Sequence, residues 1–452
     1  MGGNALVPIV MFGWIPVVFY IFLRYPAQRA VIISFIFAWL FLPVAEIKLP
    51  GLPDYSKMTA TSYGILLATA VYDSDRFRSF RFSWIDIPIL FWGIVSPVMS
   101  SMTNDLGMHD AISGALSQTV TWGVPYFLGR IYLNNLAGLR QLAIGIFVGG
   151  LVYIPFIWYE NRTFSSLHVT VYGMDTGRDL AQSFRLGGYR AQVFMEHGLM
   201  LGVWMMAACI MGIVLWRMGI IKRIWNQPIG LWIAILLITF INARSTGAYN
   251  LFLLGILALF IAWRFRNSLM IWFITLGICL YLFLGASGNF PNKQIIATIS
   301  QVFPEERVQS LQFRFDNEEI LGLKARQRIA FGWGGFGRNR VFNEIGEDIS
   351  VTDSMWIIAF GVYGVLGLIS LTASILLPVL AFCVRYPART WSNPAIAPAA
   401  ALAVCVCLYM LDSVLNAMVN PIFMLAAGGL AGIAIQPRKA PVPQLTRQLA
   451  RV

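Results

Sequence analysis

The sequence predicts an all-α polytopic membrane protein of about 13 transmembrane helices with one large, partly helical periplasmic or extracellular loop, on three observations. The first is composition: of 452 residues 58% are hydrophobic and 12% charged, with a mean hydropathy of +0.69, a balance that excludes a soluble domain. The second is length, because apolar runs of roughly 17 to 25 residues, each enough to cross a bilayer as a helix, recur from end to end. The third is charge placement: the basic residues collect in alternate connections between those runs, as cytoplasmic loops do.

In order, the apolar runs fall near residues 5–23, 30–47, 58–72, 84–103, 111–133, 140–159, 194–216, 228–242, 248–263, 268–286, 354–383, 395–414 and 420–435. The connections expected inside hold Arg24 and Arg29; Arg76, Arg78 and Arg81; Arg130 and Arg140; Arg217, Lys222 and Arg223; Arg264 and Arg266; and Arg385 and Arg389. The tail 436–452 adds Arg438, Lys439, Arg447 and Arg451. These are more than half of the 33 basic residues, against two acids, Asp73 and Asp75, so the net charge of +12 is mostly a topological signal and calls for no nucleic acid. The amino terminus is expected outside and the tail in the cytoplasm. Pro16, Pro97 and Pro125 within spans predict kinks. All five cysteines lie in apolar runs, which suggests neither a disulfide framework nor a thiolate metal site.

Two long connections, 160–193 and 287–353, fall on the side opposite the basic loops, and candidate functional residues concentrate there. The first carries Arg185 and Arg190 and leads into Glu196 and His197 at the start of the next apolar run. Ionisable residues there suggest function, with wetting at the membrane surface as the competing account. Arg244, in a very short outer turn, runs against the topological bias; it either reaches lipid phosphates or binds an anionic substrate group. In 287–353, residues 310–331 have helical propensity, with Arg314 and Glu318 spaced as a solvated ion pair. The turn Gly332-Trp333-Gly334-Gly335-Phe336-Gly337 has the glycine density of a phosphate cradle without P-loop spacing. Arg338 follows it, and Asp353 closes the loop at the mouth of the next span, as a catalytic carboxylate or as a helix N-cap.

Together these stretches resemble the O-antigen ligase and Wzy-type polysaccharide polymerase superfamily. That family pattern, an arginine, a helical stretch, a glycine-rich segment, a His-Asn-like dipeptide and a span with Gly-x-x-Gly, corresponds here to Arg314, residues 332–337, Asp353-Ser354 and Gly364-Val365-Leu366-Gly367. Asp353 stands where the ligases have histidine, which points to the polymerase branch. The family's Ser-Arg-Gly-Ala appears as Ser245-Thr246-Gly247-Ala248, with Arg244 two residues before the expected arginine. The resemblance implies a glycosyltransferase of the bacterial inner membrane with a periplasmic active face. It polymerises polyprenyl-diphosphate-linked repeat units with neither metal nor cofactor. A lipid-directed ligase is the alternative, and a flippase a weaker one. The implied partners are the lipid-linked glycan donor and acceptor, the bilayer, a chain-length regulator and a flippase. Arg190, Arg244, Arg314, Arg185 and Arg338 would bind diphosphate or substrate; Asp353 would act as base, with Glu196 or His197 as substitutes.

Overall fold

A computed structural model describes residues 3–49, 53–176, 183–301 and 305–436; Arg178 and the basic tail after 436 lie outside the described residues. Each apolar run is helical. Helices α1 (Leu6–Arg24), α2 (Ala27–Phe41), α3 (Lys57–Tyr72) and α4 (Trp84–Thr103) are followed by α5 (Gly107–Gln118) and α6 (Val124–Tyr132), which a π turn at Thr119–Gly123 joins. Next come α7 (Leu136–Thr163), α8 (Leu167–Tyr172), α9 (Gly198–Arg217), α10 (Ile229–Asn242), α11 (Thr246–Phe265) and α12 (Leu269–Ser287). The large loop contains α13 (Asn292–Ile299) and α14 (Glu305–Arg326), and α15 (Met355–Arg385), α16 (Ala397–Ser413) and α17 (Pro421–Ala434) complete the bundle. Strands among the described residues are confined to three two-residue hairpins.

The chain is therefore a helical membrane protein. Among the described residues seven helices, α1, α4, α7, α9, α11, α12 and α15, are long and apolar enough to cross a membrane. Four more, α2, α10, α16 and α17, are apolar but shorter. At 1.5 Å per residue a 14-residue helix reaches only about 21 Å, less than a hydrocarbon core of roughly 30 Å. Helix α9 forms the centre, with 89% of its apolar window buried against 22% for α12, whose Phe273, Leu276 and Phe283 face outward. Where α6 crosses α17, Gly129, Gly428 and Gly429 bring backbone against backbone, the small-residue contact by which helices associate in lipid.

Hydrogen bonds sort the connections into two ends. At one end Gln28 donates to the Tyr132 carbonyl, Arg130 to Arg81, Gln436 to Asn134 and Arg385 to Gln436. At the other, Asn4 donates to Val171, Asn161 to Asn242 and Asn104 to Gly332. Arg130 is not the free loop charge expected from the sequence: it is 5% exposed on α6 and holds Asp86 through two bonds of 2.7 and 2.9 Å. Asp86, near the start of an apolar run, is itself 2% exposed, and Tyr126 donates to it at 2.9 Å. Removing either partner of such a pair leaves a buried charge uncompensated, at about 3–5 kcal/mol.

Proline has an identifiable effect at two places. Pro97 and Pro125 each stand two residues after a π turn, Phe91–Val95 and Thr119–Gly123, where the ladder widens ahead of the missing N–H. The two turns face each other, and Thr119 Oγ1 donates to the Gly93 carbonyl at 3.2 Å.

The main irregularity is a break in α15 at Gly364, whose φ of 67° and ψ of −163° are non-helical. The glycine-rich segment of the large loop fills it: Trp333 N–H donates to the Gly361 carbonyl at 2.9 Å and Gly334 N–H to Val362 at 3.0 Å. In return Val365 N–H donates to Ile329 at 2.8 Å and Leu366 N–H to Ala330 at 3.3 Å. A Cβ on Gly364 would strike the Ala330 backbone. Gly364→Ala is therefore expected to cost about 2 kcal/mol or more, whereas Gly335→Ala, with open space at its Cβ, should be near neutral. Thermal unfolding of the detergent-solubilised variants measures the difference.

Candidate functional site

The site lies at the end away from the basic connections, and buried carboxylates build it. Glu160, in the last turn of α7, is 0% exposed. It accepts backbone N–H bonds from Leu167 at 2.6 Å, Gln192 at 2.8 Å and Val193 at 2.9 Å, so one carboxylate fixes the segment that carries Arg190. Arg190, 6% exposed, lays its stem over Gly198 at the start of α9 and points a guanidinium nitrogen at Ser245 Oγ, 3.5 Å away.

Arg244 is placed by a hairpin. Phe184–Arg185 pairs with Gly188–Tyr189 across a two-residue turn in which Leu186 and Gly187 both have positive φ, the form that matches strand twist. Arg244 Nη1 donates to the carbonyls of Leu186 and Arg185, and its guanidinium occupies the space a Cβ on Gly188 would need. Arg244 itself has φ 52°, a left-handed conformation that costs a non-glycine residue about 1 kcal/mol or more. The hairpin bonds hold it there, and α11 begins two residues later with Thr246.

The large loop supplies the opposite wall. Glu318 on α14 accepts from Tyr281 of α12 at 2.7 Å, and from Ser354 Oγ at 2.8 Å and Trp356 Nε1 at 3.0 Å. Burial pushes its carboxyl above the usual range, against which the three donors and then the charge of Arg314 act. Among the described residues Glu318 and Arg314 form no ion pair, so the solvated pair suggested by their spacing is replaced by a half-buried, triply bonded pin, and Arg314 lines a cavity.

That cavity, about 720 Å³, is lined by Arg185, Arg190, Arg244, Arg314 and Asp353, together with Thr246, Asn250, Tyr281, Asp412 and Asn416. Four of the five arginines singled out in the sequence thus meet around one space with the carboxylate chosen beside them. Asp353 is not a helix cap: the N-cap position of α15 is Ser354, whose hydroxyl is bonded to Glu318.

The remaining candidates stand elsewhere. Arg338 lies 3.5 Å from Asp110 and ties the large loop to α5. His197 caps α9, its Nδ1 accepting from Leu199 N–H at 3.0 Å. Glu196 is exposed, yet surrounding protein, then the charge of Glu46, raises its carboxyl, with Lys57 opposing. Neither lines the arginine cavity. In the glycine-rich turn the N–H groups of Trp333 and Gly334 are bonded to α15 and so are not open to an anion. Sequence reasoning missed Asp412, although the signal was present: it is the one charged residue between Arg389 and Arg438. Glu160 and Glu318 gave no such signal, since their donors come from distant elements.

Glu160→Gln replaces an acceptor of three N–H bonds with an amide that has a single acceptor oxygen. It is expected to cost about 1–3 kcal/mol and to speed hydrogen–deuterium exchange in residues 190–197 while residues 329–334 stay protected. Unchanged exchange across 190–197 would show that the carboxylate does not hold that segment. Compared with protein-family models and with curated proteins, the chain matches none.

Proposed function

We propose that this protein is a glycosyltransferase of the bacterial inner membrane that polymerises polyprenyl-diphosphate-linked oligosaccharide repeat units at the periplasmic face. The observation that carries the reading is the gathering of Arg185, Arg190, Arg244 and Arg314 around one cavity of about 720 Å³ with two carboxylates. Like charges separated by roughly 8 Å repel by about 2 kcal/mol at an effective dielectric near 20. A cavity onto which four guanidinium groups converge is suited to an anion, and a departing diphosphate needs donors already aimed at its developing charge. Guanidinium groups meet phosphate oxygens in pairs.

In this mechanism the anomeric carbon of the donor glycan sits against the arginines that hold its diphosphate, and a hydroxyl of the acceptor repeat attacks it. Arg190 and Arg244 act from the 183–245 side and Arg314 from the large loop, so the leaving group is held from both. A carboxylate of the cavity accepts the hydroxyl proton; Asp353 at the rim and Asp412 in the wall are available. The aspartate at the position of the ligases' histidine favours polymer extension over transfer to a lipid acceptor. Thirteen crossings, with the short helices extended by their flanking residues, put the amino terminus and both long loops outside and the tail inside, in accord with the basic residues. A chain-length regulator and a flippase are the proposed partners.

Arg190→Ala and Arg314→Ala are each expected to lower transfer from a polyprenyl-diphosphate-linked repeat unit in proteoliposomes by a hundredfold or so, about 2.7 kcal/mol. Lysine should restore little of it, because it lacks the planar fork. Full activity in Arg314→Ala would remove that residue from the diphosphate site. For topology, a membrane-impermeant thiol reagent added to intact spheroplasts should label Ile345→Cys in the large loop and not Ser392→Cys in the basic connection, both in a cysteine-free background. The reverse pattern would invert the assignment.

A further inference from the structure

Asp412 is the one charged residue between Arg389 and Arg438. It stands in the last turn of α16, only 6% exposed, and yet lines the arginine cavity. An ionisable side chain among apolar helices is retained at a cost and as a rule serves a function. The hydrogen bonds around it fix its direction. Asn416, itself 8% exposed, donates from Nδ2 to Asp412 Oδ1 at 2.9 Å, and the Asn416 N–H donates to the Asp412 carbonyl at 2.9 Å. Among the described residues Oδ2 receives no donor, and it is not one of the enclosed atoms without a partner; it opens on the cavity. The charge of Arg314 reaches it from the opposite wall. Asp353 contrasts with it in each respect: it is exposed, it lies on a loop before α15, and its side chain makes no hydrogen bond among the described residues.

We propose that Asp412, oriented by Asn416, is the carboxylate that takes the proton from the acceptor hydroxyl, with Asp353 a rim residue that meets the incoming glycan. This rests on the glycosyl-transfer reading above. The hydroxyl oxygen forms the new bond to the anomeric carbon, and the bond from that carbon to the diphosphate oxygen breaks with its electron pair leaving on polyprenyl diphosphate. The hydroxyl proton passes to Asp412 Oδ2 and from there to water in the open cavity. A base fixed at one oxygen and open at the other is held in one orientation before substrate arrives, which is what proton transfer to a positioned group requires.

The experiment uses the full-length protein in proteoliposomes with a chemically defined polyprenyl-diphosphate-linked repeat unit as both donor and acceptor. Single-turnover rates are measured across pH for the wild type, Asp412→Asn, Asp412→Glu and Asp353→Asn. The expected result is a loss on the order of a hundredfold to ten-thousandfold in Asp412→Asn, with donor affinity changed by no more than about threefold, and disappearance of the acid limb of the pH–rate profile. The other ionisable groups lining the cavity are Arg185, Arg190, Arg244, Arg314, Tyr281 and Asp353, with Glu318 behind Tyr281, and the Asp353→Asn arm separates the second cavity carboxylate from Asp412. Asp353→Asn is expected to lose about tenfold or less and to keep the limb. If Asp412→Asn does not fold, Asp412→Glu, which keeps the charge one methylene further out, should be slower than wild type and retain the limb; a rate equal to wild type would overturn the assignment. Wild-type transfer with Asp412→Asn within about threefold of it, or an acid limb that vanishes only in Asp353→Asn, would also overturn the role of Asp412. A folded wild-type protein that transfers nothing would overturn the glycosyl-transfer reading and Asp412's role with it.

Discussion

Backbone groups within a bilayer must find partners inside the protein, and this constraint acts most visibly at Gly364. Breaking α15 there frees carbonyls and N–H groups that have no water to turn to. The segment 329–334 supplies the missing partners through Trp333, Gly334, Ile329 and Ala330. The loop and the broken helix therefore depend on one another. Because that segment directly follows α14, docking it also fixes where α14 ends, which sets Arg314 and Glu318 over α12 and α15. Without the break the large loop would have no register on the bundle.

Charges meet the same constraint in three ways. Asp86 and Arg130 cancel each other in a two-bond pair supported by Tyr126. Glu160 and Glu318 each accept three hydrogen bonds among the described residues and act as pins between segments far apart in the chain. The arginines of the cavity are handled differently, since four of them line one space with two aspartates. The first two arrangements are internally complete. The third brings four guanidinium groups to one open space, which is why the cavity, and not another polar cluster, is the candidate site.

Periodicity and charge counts made the helices legible from the sequence, because apolar runs of span length and basic connections are local properties. The same reasoning picked out Arg190, Arg244 and Arg314, which line one cavity, since an arginine on the side opposite the basic loops has no topological reason to be there. It went astray where a partner is remote. Arg338 faces Asp110, His197 serves the backbone of its own helix, and the Arg314–Glu318 spacing suggested a pair that Tyr281, Ser354 and Trp356 pre-empt. Asp412 was readable as a lone charge in an apolar run, but nothing local indicates that its carboxylate faces the arginines.

What the sequence determined by itself is that the chain is helical, lies in a membrane and carries several arginines in its long polar connections. Those follow from the free energy of transferring side chains between water and hydrocarbon, a sum over single residues. Only the tertiary structure decided which of those arginines share a cavity, which carboxylates are pins and which one opens toward it. Those outcomes depend on hydrogen bonds between residues tens to hundreds of positions apart, and the direction of a donor or an acceptor is fixed only when the fold closes around it.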